Sequence, residues 1–380
     1  MQPIEIRFAT STEEVRQGLD LYCSSFPGGY EENHQITRNK SQTISDDYLP
    51  GRAIVAKRGD RVVGFLRYSV RQIRLGVVVF DILGIGDYCI DKSETEEPFF
   101  GIRFLGSCMS ILRTLDFPLA IGSGRRIMES YYSRFGFVTA STYAKCWIEK
   151  VPPRVLSVLN ARCEIRCSES RIAAYENARL ATARSDWGVI YRSKPQWQWI
   201  IFQAARMRRF DIVEILADDV FIGYFVVGKE GVLDFGFQPE AYAVCCAAMV
   251  TELGRRNRAS GDAMVLPASF QHPIVSHLRG LHFRFEHRCI PDEGIMAVAL
   301  NPAILLGTLV NISGVPLDQV RGDLLGSHRA LASPNELTQT ELRTMVNAMF
   351  MGTASPFSVG DRRSNILPPT FYRMNDLDAL

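Results

Sequence analysis

The sequence lacks the features that define several large classes of protein. Its 43 basic and 41 acidic residues leave a net charge of only +2, so charge gives no reason to expect binding to nucleic acid or to an acidic membrane surface. No apolar run approaches the roughly 18–20 residues that span a bilayer. The N-terminal residues show no basic stretch followed by an apolar one. We therefore expect a cytoplasmic protein that has neither nucleic acid nor membrane among its partners.

Common catalytic and metal-binding motifs are also missing. The chain has no Gly-x-Ser-x-Gly, no P-loop and no Rossmann glycine pattern. Its nine cysteines include no CxxC pair, which favours reduced thiols. Residues five apart lie about 140° apart on a helix and on opposite faces of a strand. We therefore predict no metal site from the four histidines that recur at this interval, His272, His277, His282 and His287.

What remains is an ordinary globular composition. The chain has 380 residues, of which 47% are hydrophobic and 22% charged. These fractions support large buried cores. At roughly 100–200 residues per domain, the length suggests two or three domains.

The first 150 residues alternate between strand and helix patterns. Residues 3–9 alternate apolar and polar side chains, as a strand does, and a capping box at Ser11–Glu14 predicts a helix start. Residues 28–50 are polar and predicted to be loop-like, with at most one short helix. Arg58–Asp60 predicts a hairpin turn. The long strand Val77–Ile90 is expected to contain a bulge or splay near its two glycines, Gly84 and Gly86.

The most specific stretch is Tyr131–Phe137. It ends a helix predicted from Arg125, which follows the strand Leu119–Gly122, and it precedes a further strand. A tyrosine four residues before a Gly-Phe pair resembles the C-terminal half of a GNAT-superfamily acyltransferase domain. The order of strands and helices over residues 1–150 is also similar to that family.

The resemblance implies a fold and a domain organisation. We expect an α+β (mixed α/β) protein of two tandem GNAT-like folds with mixed, mostly antiparallel sheets. Domain 1–152 would be catalytic, and domain 153–300 a second copy without its own chemistry, since Leu278 stands where the tyrosine would be. A small C-terminal helical module and tail would occupy 301–380, beginning its main helix at the capping box of Thr338 and Glu341.

The resemblance also implies a site for an acyl thioester. In the family, the fourth strand splays from the fifth, and the pantetheine arm of acyl-CoA pairs with the exposed edge. Backbone N–H groups at the next helix bind the pyrophosphate. The matching loop, Pro98–Arg103, keeps only its central glycine. The implied cofactor-binding residues are Cys89 and Ile90 on the strand edge, with Gly101, Ile102 and Arg103 at the helix.

Amine acylation needs an acid for the leaving thiolate and a base for the amine. Tyr132 is the implied acid, because a phenol titrating near 10 is matched to a thiol near 8.5. Asp87 on the fourth strand is the candidate base, and Glu129, one turn before Tyr132, is the alternative. His34 is a candidate for substrate contact. Cys89 could form an acyl-enzyme, although a small buried thiol is its default role.

The sequence therefore predicts an acyltransferase that moves an acetyl or longer acyl group from CoA, or from a carrier-protein thioester, to an amine of a small molecule. The donor would be acetyl-CoA or another acyl-CoA, with no metal, and an acyl-carrier protein or a second copy of the chain are possible partners. Two alternatives stay open. One is a lyase or decarboxylase of acyl thioesters on the same fold, and the other is a non-catalytic ligand-binding protein.

Overall fold

The computed structural model describes most of the chain. Its described residues fall into two compact units. The first contains those within 1–140 and 295–362, and the second those within 141–294. The domain boundaries predicted at residues 152 and 300 remain a prediction, and the two compact units divide the chain differently. The described residues are 3–25, 29–91, 93–94, 99–125, 129–150, 161–185, 188–229, 231–260, 264–268, 272–313, 338, 341–343, 345–346 and 349.

Before residue 138, the described residues of the first unit form five strands and four α-helices, and those within 295–362 also belong to this unit. The elements are β1 (Ile4–Phe8), α1 (Thr12–Ser25), α2 (Tyr30–Thr43), β2 (Ala53–Arg58), β3 (Arg61–Leu75), β4 (Val78–Ile90), α3 (Phe100–Leu112), β5 (Leu119–Arg125) and α4 (Glu129–Tyr132).

Strands β1 to β4 form an antiparallel meander, and β5 pairs with β4 in parallel. The predicted hairpin at Arg58–Asp60 joins β2 to β3, with Arg58 opposite Arg61. Beyond β5, the N–H of Leu300 donates to the carbonyl of Pro118 at 3.0 Å. The expected class, α+β with mixed, mostly antiparallel sheets, is therefore confirmed.

Both faces of β3 are largely buried, and its side chains alternate between them. Leu66 and Tyr68 pack into a core with α3, and a Cβ on Gly64 would lie 3.0 Å from the Phe104 ring. Successive side chains of a strand point to opposite faces. The buried Arg67 and Arg71 therefore lie on the face away from α3.

Helix α1 begins as predicted, with the Ser11 hydroxyl accepting the N–H of Glu14 at 3.2 Å. The prediction for residues 28–50 was wrong, because α2 is a full helix of 14 residues. Its sequence is polar apart from Tyr30 and Ile36, so hydrophobic periodicity gives little signal there. Acidic Glu31 and Glu32 in its first turn favour the helix electrostatically. Thr37 is its buried residue, and it accepts a hydrogen bond from the Cys23 thiol of α1.

The second unit has a four-stranded antiparallel sheet in the order β11, β10, β9, β7. A hairpin at Asp218–Asp219 joins β9 to β10, and helices cover both faces of this sheet. The elements of the chain after α4, of which α9 and the end of β13 belong to the first unit, are β6 (Val138–Lys150), β7 (Ala161–Ile165), α5 (Ile172–Thr182), β8 (Gly188–Ile190), α6 (Lys194–Ala205), β9 (Asp211–Ala217), β10 (Val220–Gly228), β11 (Gly231–Phe237), α7 (Tyr242–Ser260), β12 (Val265–Leu266), α8 (Pro273–Gly280), β13 (Arg284–Ala299) and α9 (Pro302–Ser313).

One element boundary differs from that predicted, because Arg125 ends β5 and α4 begins at Glu129. Helix α7 runs through Gly254 to Ser260, since an isolated glycine costs only about 1 kcal/mol in a helix interior. The predicted Thr338 capping box is confirmed, because its hydroxyl accepts the N–H of Glu341 at 3.2 Å and its N–H donates to that carboxylate at 2.6 Å. Residues 351–380 lie outside the described part of the chain. No described helix has the length and apolar character needed to cross a membrane.

Candidate functional site

Strands β4 and β5 pair only briefly in the described structure, where Leu83 faces Ala120 and Gly84 faces Ile121. Strand β4 then continues to Ile90 along β3. The register against β3 shifts between Phe65 and Arg67, and this places two residues of β4 opposite one of β3. Such a bulge bends and twists a strand. Gly84 is the last residue of β4 with a described partner on β5. We use the name wedge for the region between the rest of β4 and the chain that follows β5.

The bulge is centred on Asp87 rather than on the two glycines that predicted it. Asp87 has φ +54°, in the left-handed region that few non-glycine residues adopt. Gly84 still pairs regularly with Ser69. The sequence thus predicted a bulge in this strand but placed it about one residue too early.

The N-terminus of α3 lies at the wedge. Its N-cap, Phe99, has φ +64° and supplies no side-chain cap, and the first N–H to bond within the helix is that of Arg103, to the Phe99 carbonyl at 2.9 Å. The N–H groups of the first turn therefore have no intrahelical acceptor, and they present a partial positive charge to an anion. This is the position at which the resemblance implied pyrophosphate binding.

Gly101 lies where three elements meet. A Cβ on Gly101 would come within 3.4 Å of Ile90 Cδ1 and of the Tyr88 hydroxyl, and within 3.5 Å of the Tyr131 hydroxyl. The structure thus brings together two of the predicted cofactor-binding residues, Ile90 and Gly101. Ile102 is half-buried, whereas Arg103 is exposed on the next position of α3.

Two tyrosines that sequence reasoning missed close this region. The Tyr88 hydroxyl donates to the Gly101 carbonyl at 2.9 Å, and it lies 3.0 Å from the Tyr131 hydroxyl. The Tyr88 ring stacks on Phe104 of α3 with centroids 5.8 Å apart. Burial raises the pKa of Tyr88 well above its usual range. The pair therefore stays neutral and joins β4, α3 and α4 by hydrogen bonds.

Tyr132, the predicted acid, follows directly on α4. Its ring packs edge-on against Phe137 at 5.6 Å and against Tyr131 at 5.4 Å. The following turn ends at Gly136, with φ +92°, a conformation that favours glycine. Burial, and secondarily Tyr131, raise the pKa of Tyr132. Within the described residues its hydroxyl has no hydrogen-bond partner, so a protonated phenol is available there.

The two candidate bases are Asp87 and Glu129. Asp87 accepts a hydrogen bond from Arg67 Nε at 2.5 Å, and their side chains are 8% and 2% exposed. Protonating this carboxylate would leave a buried guanidinium without its counterion, which is costly. The ion pair thus disfavours the predicted role of Asp87 as base. Glu129 begins α4, but its side chain lies outside the described part.

The side chains of Cys89 and His34 lie on the α1 side of the fold rather than against α3. Cys89 is 5% exposed and packs with Val55 and Phe65 on the α1 side of the sheet, and burial raises the pKa of its thiol. A buried protonated thiol is a poor nucleophile. His34 was predicted to lie in a loop, but it lies on α2, where it stacks on Tyr30 at 5.4 Å and approaches Asp20 at 3.7 Å.

The histidines that recur every five residues were not predicted to bind a metal, and two of them have structural roles. His272 caps α8, accepting the N–H of Ile274 at 3.2 Å, and His277 packs against Tyr242 with ring centroids 5.0 Å apart. His282 is exposed, and the His287 side chain lies outside the described part. Among the residues that the structure describes, no group of three histidine, cysteine or acidic side chains could hold a metal ion.

The architecture matches that of solved acetyltransferases. A GCN5-related N-acetyltransferase from Anabaena variabilis superposes with a TM-score of 0.61 at 12% identity, over 80% of this chain and 74% of that one. The chain has the GNAT fold. A GNAT enzyme from Kribbella flavida gives 0.57 at 14% identity, covering 80% and 73%. Eis1 from Mycobacterium abscessus gives 0.53 at 15%, covering 80% and 75%. No protein-family profile and no curated protein matches the sequence.

Proposed function

We propose that the first unit is an acyltransferase that moves an acetyl or longer acyl group from a thioester of CoA, or of a carrier protein, to the amine of a small molecule. The proposal is supported by the N-terminus of α3 at the wedge and by a protonated phenol on the neighbouring α4. The first turn of α3 has N–H groups without an intrahelical acceptor. Tyr132, the residue after Tyr131, has a hydroxyl without a partner among the described residues.

Each group has a defined task in this reaction. The N–H groups of α3 would bind the phosphate end of the donor, because they combine hydrogen-bond donors with the positive end of a helix dipole. The Tyr132 hydroxyl would give its proton to the departing thiolate. The raised pKa of Tyr132 keeps that proton on the phenol at neutral pH, so that it is present when the thiolate leaves.

The second unit has no corresponding groups where the GNAT order would place them. Leu278 is fully buried in its core, and the segment after β11 begins Gln238-Pro239, whose proline has no N–H to offer an anion. We propose that this unit is a second GNAT-like copy with a structural role, so that all transfer chemistry belongs to the first unit.

A second candidate is a non-catalytic ligand-binding protein. It is favoured by the Tyr88–Tyr131 contact, which occupies the side of the wedge next to Gly101. In that case the protein would bind a ligand without turning over a thioester.

Binding and turnover separate the two candidates. A ligand at 100 times its Kd stabilises a protein by about 2.7 kcal/mol, so acetyl-CoA, longer acyl-CoAs and free CoA should each be tested for a rise in melting temperature. Release of free thiol from acetyl-CoA in the presence of an amine panel then reports transfer. Binding without thiol release supports the second candidate, and no stabilisation by any of these donors argues against CoA dependence.

A further inference from the structure

A group of buried charges lies on the face of β3 that is opposite α3. Arg71 binds Asp47 through two hydrogen bonds of 2.6 and 3.1 Å, and Arg67 is paired with Asp87 at the bulge of β4. The Arg67 guanidinium also lies 4.6 Å from the centre of the Tyr48 ring. Each arginine thus has its own carboxylate, and these four residues are electrically balanced.

Lys40 of α2 adds one more cation beside this group. Its neighbours at i−3 and i+4, Thr37 and Ile44, are only 9% and 6% exposed, which places Lys40 on the inner face of α2. The N–H of Ile44 donates to the Lys40 carbonyl at 2.8 Å. The short helical turn that follows, Ser45–Tyr48, carries Asp47 and Tyr48.

The charge of Lys40 is uncompensated within the described part of the chain, where its side chain makes no hydrogen bond or ion pair. Burial, with a smaller effect of Arg67 and Arg71, lowers the pKa of Lys40 to about 8, against the opposing effect of Asp87 and Asp47. Tyr22, Tyr48, Cys23 and Cys89 also interact with the charge of Asp87, and burial raises the pKa of each, so that all four are neutral at pH 7. At pH 7 this lysine is therefore a largely charged, partly buried cation.

We propose that Lys40 forms a subsite for a carboxylate of the acceptor, so that the acceptor amine belongs to the class of amino acids or other amino carboxylates. This inference rests on the proposed function. Arg67, Arg71 and Lys40 carry three positive charges. Asp47 and Asp87 carry two negative ones. One carboxylate of a ligand would balance the positive charge that is left. Asp87, whose charge acts on Lys40, lies on β4 beyond its last described pairing with β5 and on the face of the sheet away from α3.

Anion binding at Lys40 can be measured without turnover. The chain has only seven lysines, so after reductive methylation with 13C-formaldehyde each dimethyl-lysine signal can be followed in an NMR pH titration, and Lys40→Gln identifies the signal of Lys40. Sodium acetate at constant ionic strength should move the titration of Lys40 to higher pH, since an adjacent anion favours the charged form. Arg38→Gln is the matched control, because it removes an exposed charge from the same helix.

Kinetics then connect the subsite to the acceptor. Amines are compared in pairs with and without a carboxylate, such as β-alanine and ethylamine. Lys40→Gln should lower kcat/KM for the amine that carries a carboxylate by about tenfold, the size of one charged hydrogen bond. It should leave unchanged both kcat/KM for the amine without a carboxylate and the thermal shift with acetyl-CoA.

An unmoved Lys40 titration in acetate, or an equal loss for both members of each pair, would overturn the inference. A Lys40 titration that moves in acetate while no amine is acylated would support the subsite and count against the proposed function.

Discussion

The hydroxyl oxygens of Tyr88 and Tyr131 lie 3.0 Å apart, and the Tyr88 hydroxyl also bonds the Gly101 carbonyl. This contact ties β4 to α4 beside the first turn of α3. Under the proposed function, a donor that enters between β4 and β5 would compete with this contact.

Removing one hydroxyl tests this role. Tyr131→Phe breaks the bond to Tyr88 and keeps the ring packing, so acetyl-CoA should bind more tightly, by about tenfold if the lost bond is worth roughly 1 kcal/mol or slightly more. Isothermal titration calorimetry measures the change. Tyr68→Phe is the control, because it also removes a tyrosine hydroxyl bond, to the Gly51 carbonyl at 2.6 Å in the same unit. Weaker binding in Tyr131→Phe would instead show that this hydroxyl contacts the donor.

Tyr132 should matter for turnover rather than for stability. Tyr132→Phe keeps the edge-on contacts with Phe137 and Tyr131, so the melting temperature should change by no more than about 2 °C, since ΔΔG of 1 kcal/mol corresponds to about 2–4 °C in proteins of 150–250 residues. Losing a general acid typically costs 10²–10⁴-fold in rate. Thiol release from acetyl-CoA measures the loss, and a Tyr132→Phe enzyme with full activity would remove Tyr132 from the mechanism.

The sequence predicted turns that depend on neighbouring residues, and it missed contacts between residues that are distant along the chain. The hairpin at Arg58–Asp60 and the turn at Gly136 were predicted because turn residues specify their own backbone. The Tyr88–Tyr131 bond joins residues 43 positions apart, and no spacing rule signals it. The same limit applied to Asp87, whose pairing with Arg67 depends on the register of two strands.

The Arg67–Asp87 pair should be essential to the stability of the first unit. Asp87→Asn leaves Arg67 buried with no full counterion, and breaking such a pair typically costs about 3–5 kcal/mol. Urea denaturation of the variant should show this loss. Glu5→Gln is the control, because the Arg7–Glu5 pair is exposed and pairs of this kind contribute only about 0–1 kcal/mol. If both variants unfold at the same urea concentration, the buried pair contributes no more to stability than the exposed pair. Asp87 is then again a candidate base.

Lys40 should destabilise the fold at neutral pH and less so at high pH. Its pKa is lowered to about 8 in the folded protein, whereas a lysine in an unfolded chain titrates near 10.4. Between these values the unfolded chain binds more protons, so the contribution of Lys40 to stability rises with pH across that window. Below pH 8 both states are protonated, and the folded state carries the full cost of the charge.

Lys40→Met removes that charge and keeps the length of the side chain. It should raise the melting temperature at pH 6–7, and its advantage over the natural protein should shrink as the pH rises from about 8 towards 10, measured by differential scanning calorimetry. Arg38→Gln, on the exposed side of the same helix, should show no such pH dependence. A constant difference between Lys40→Met and the natural protein from pH 6 to 10 would mean that Lys40 titrates normally. Lys40 would then not lie in the buried surroundings, beside Arg67 and Arg71, that the carboxylate subsite requires.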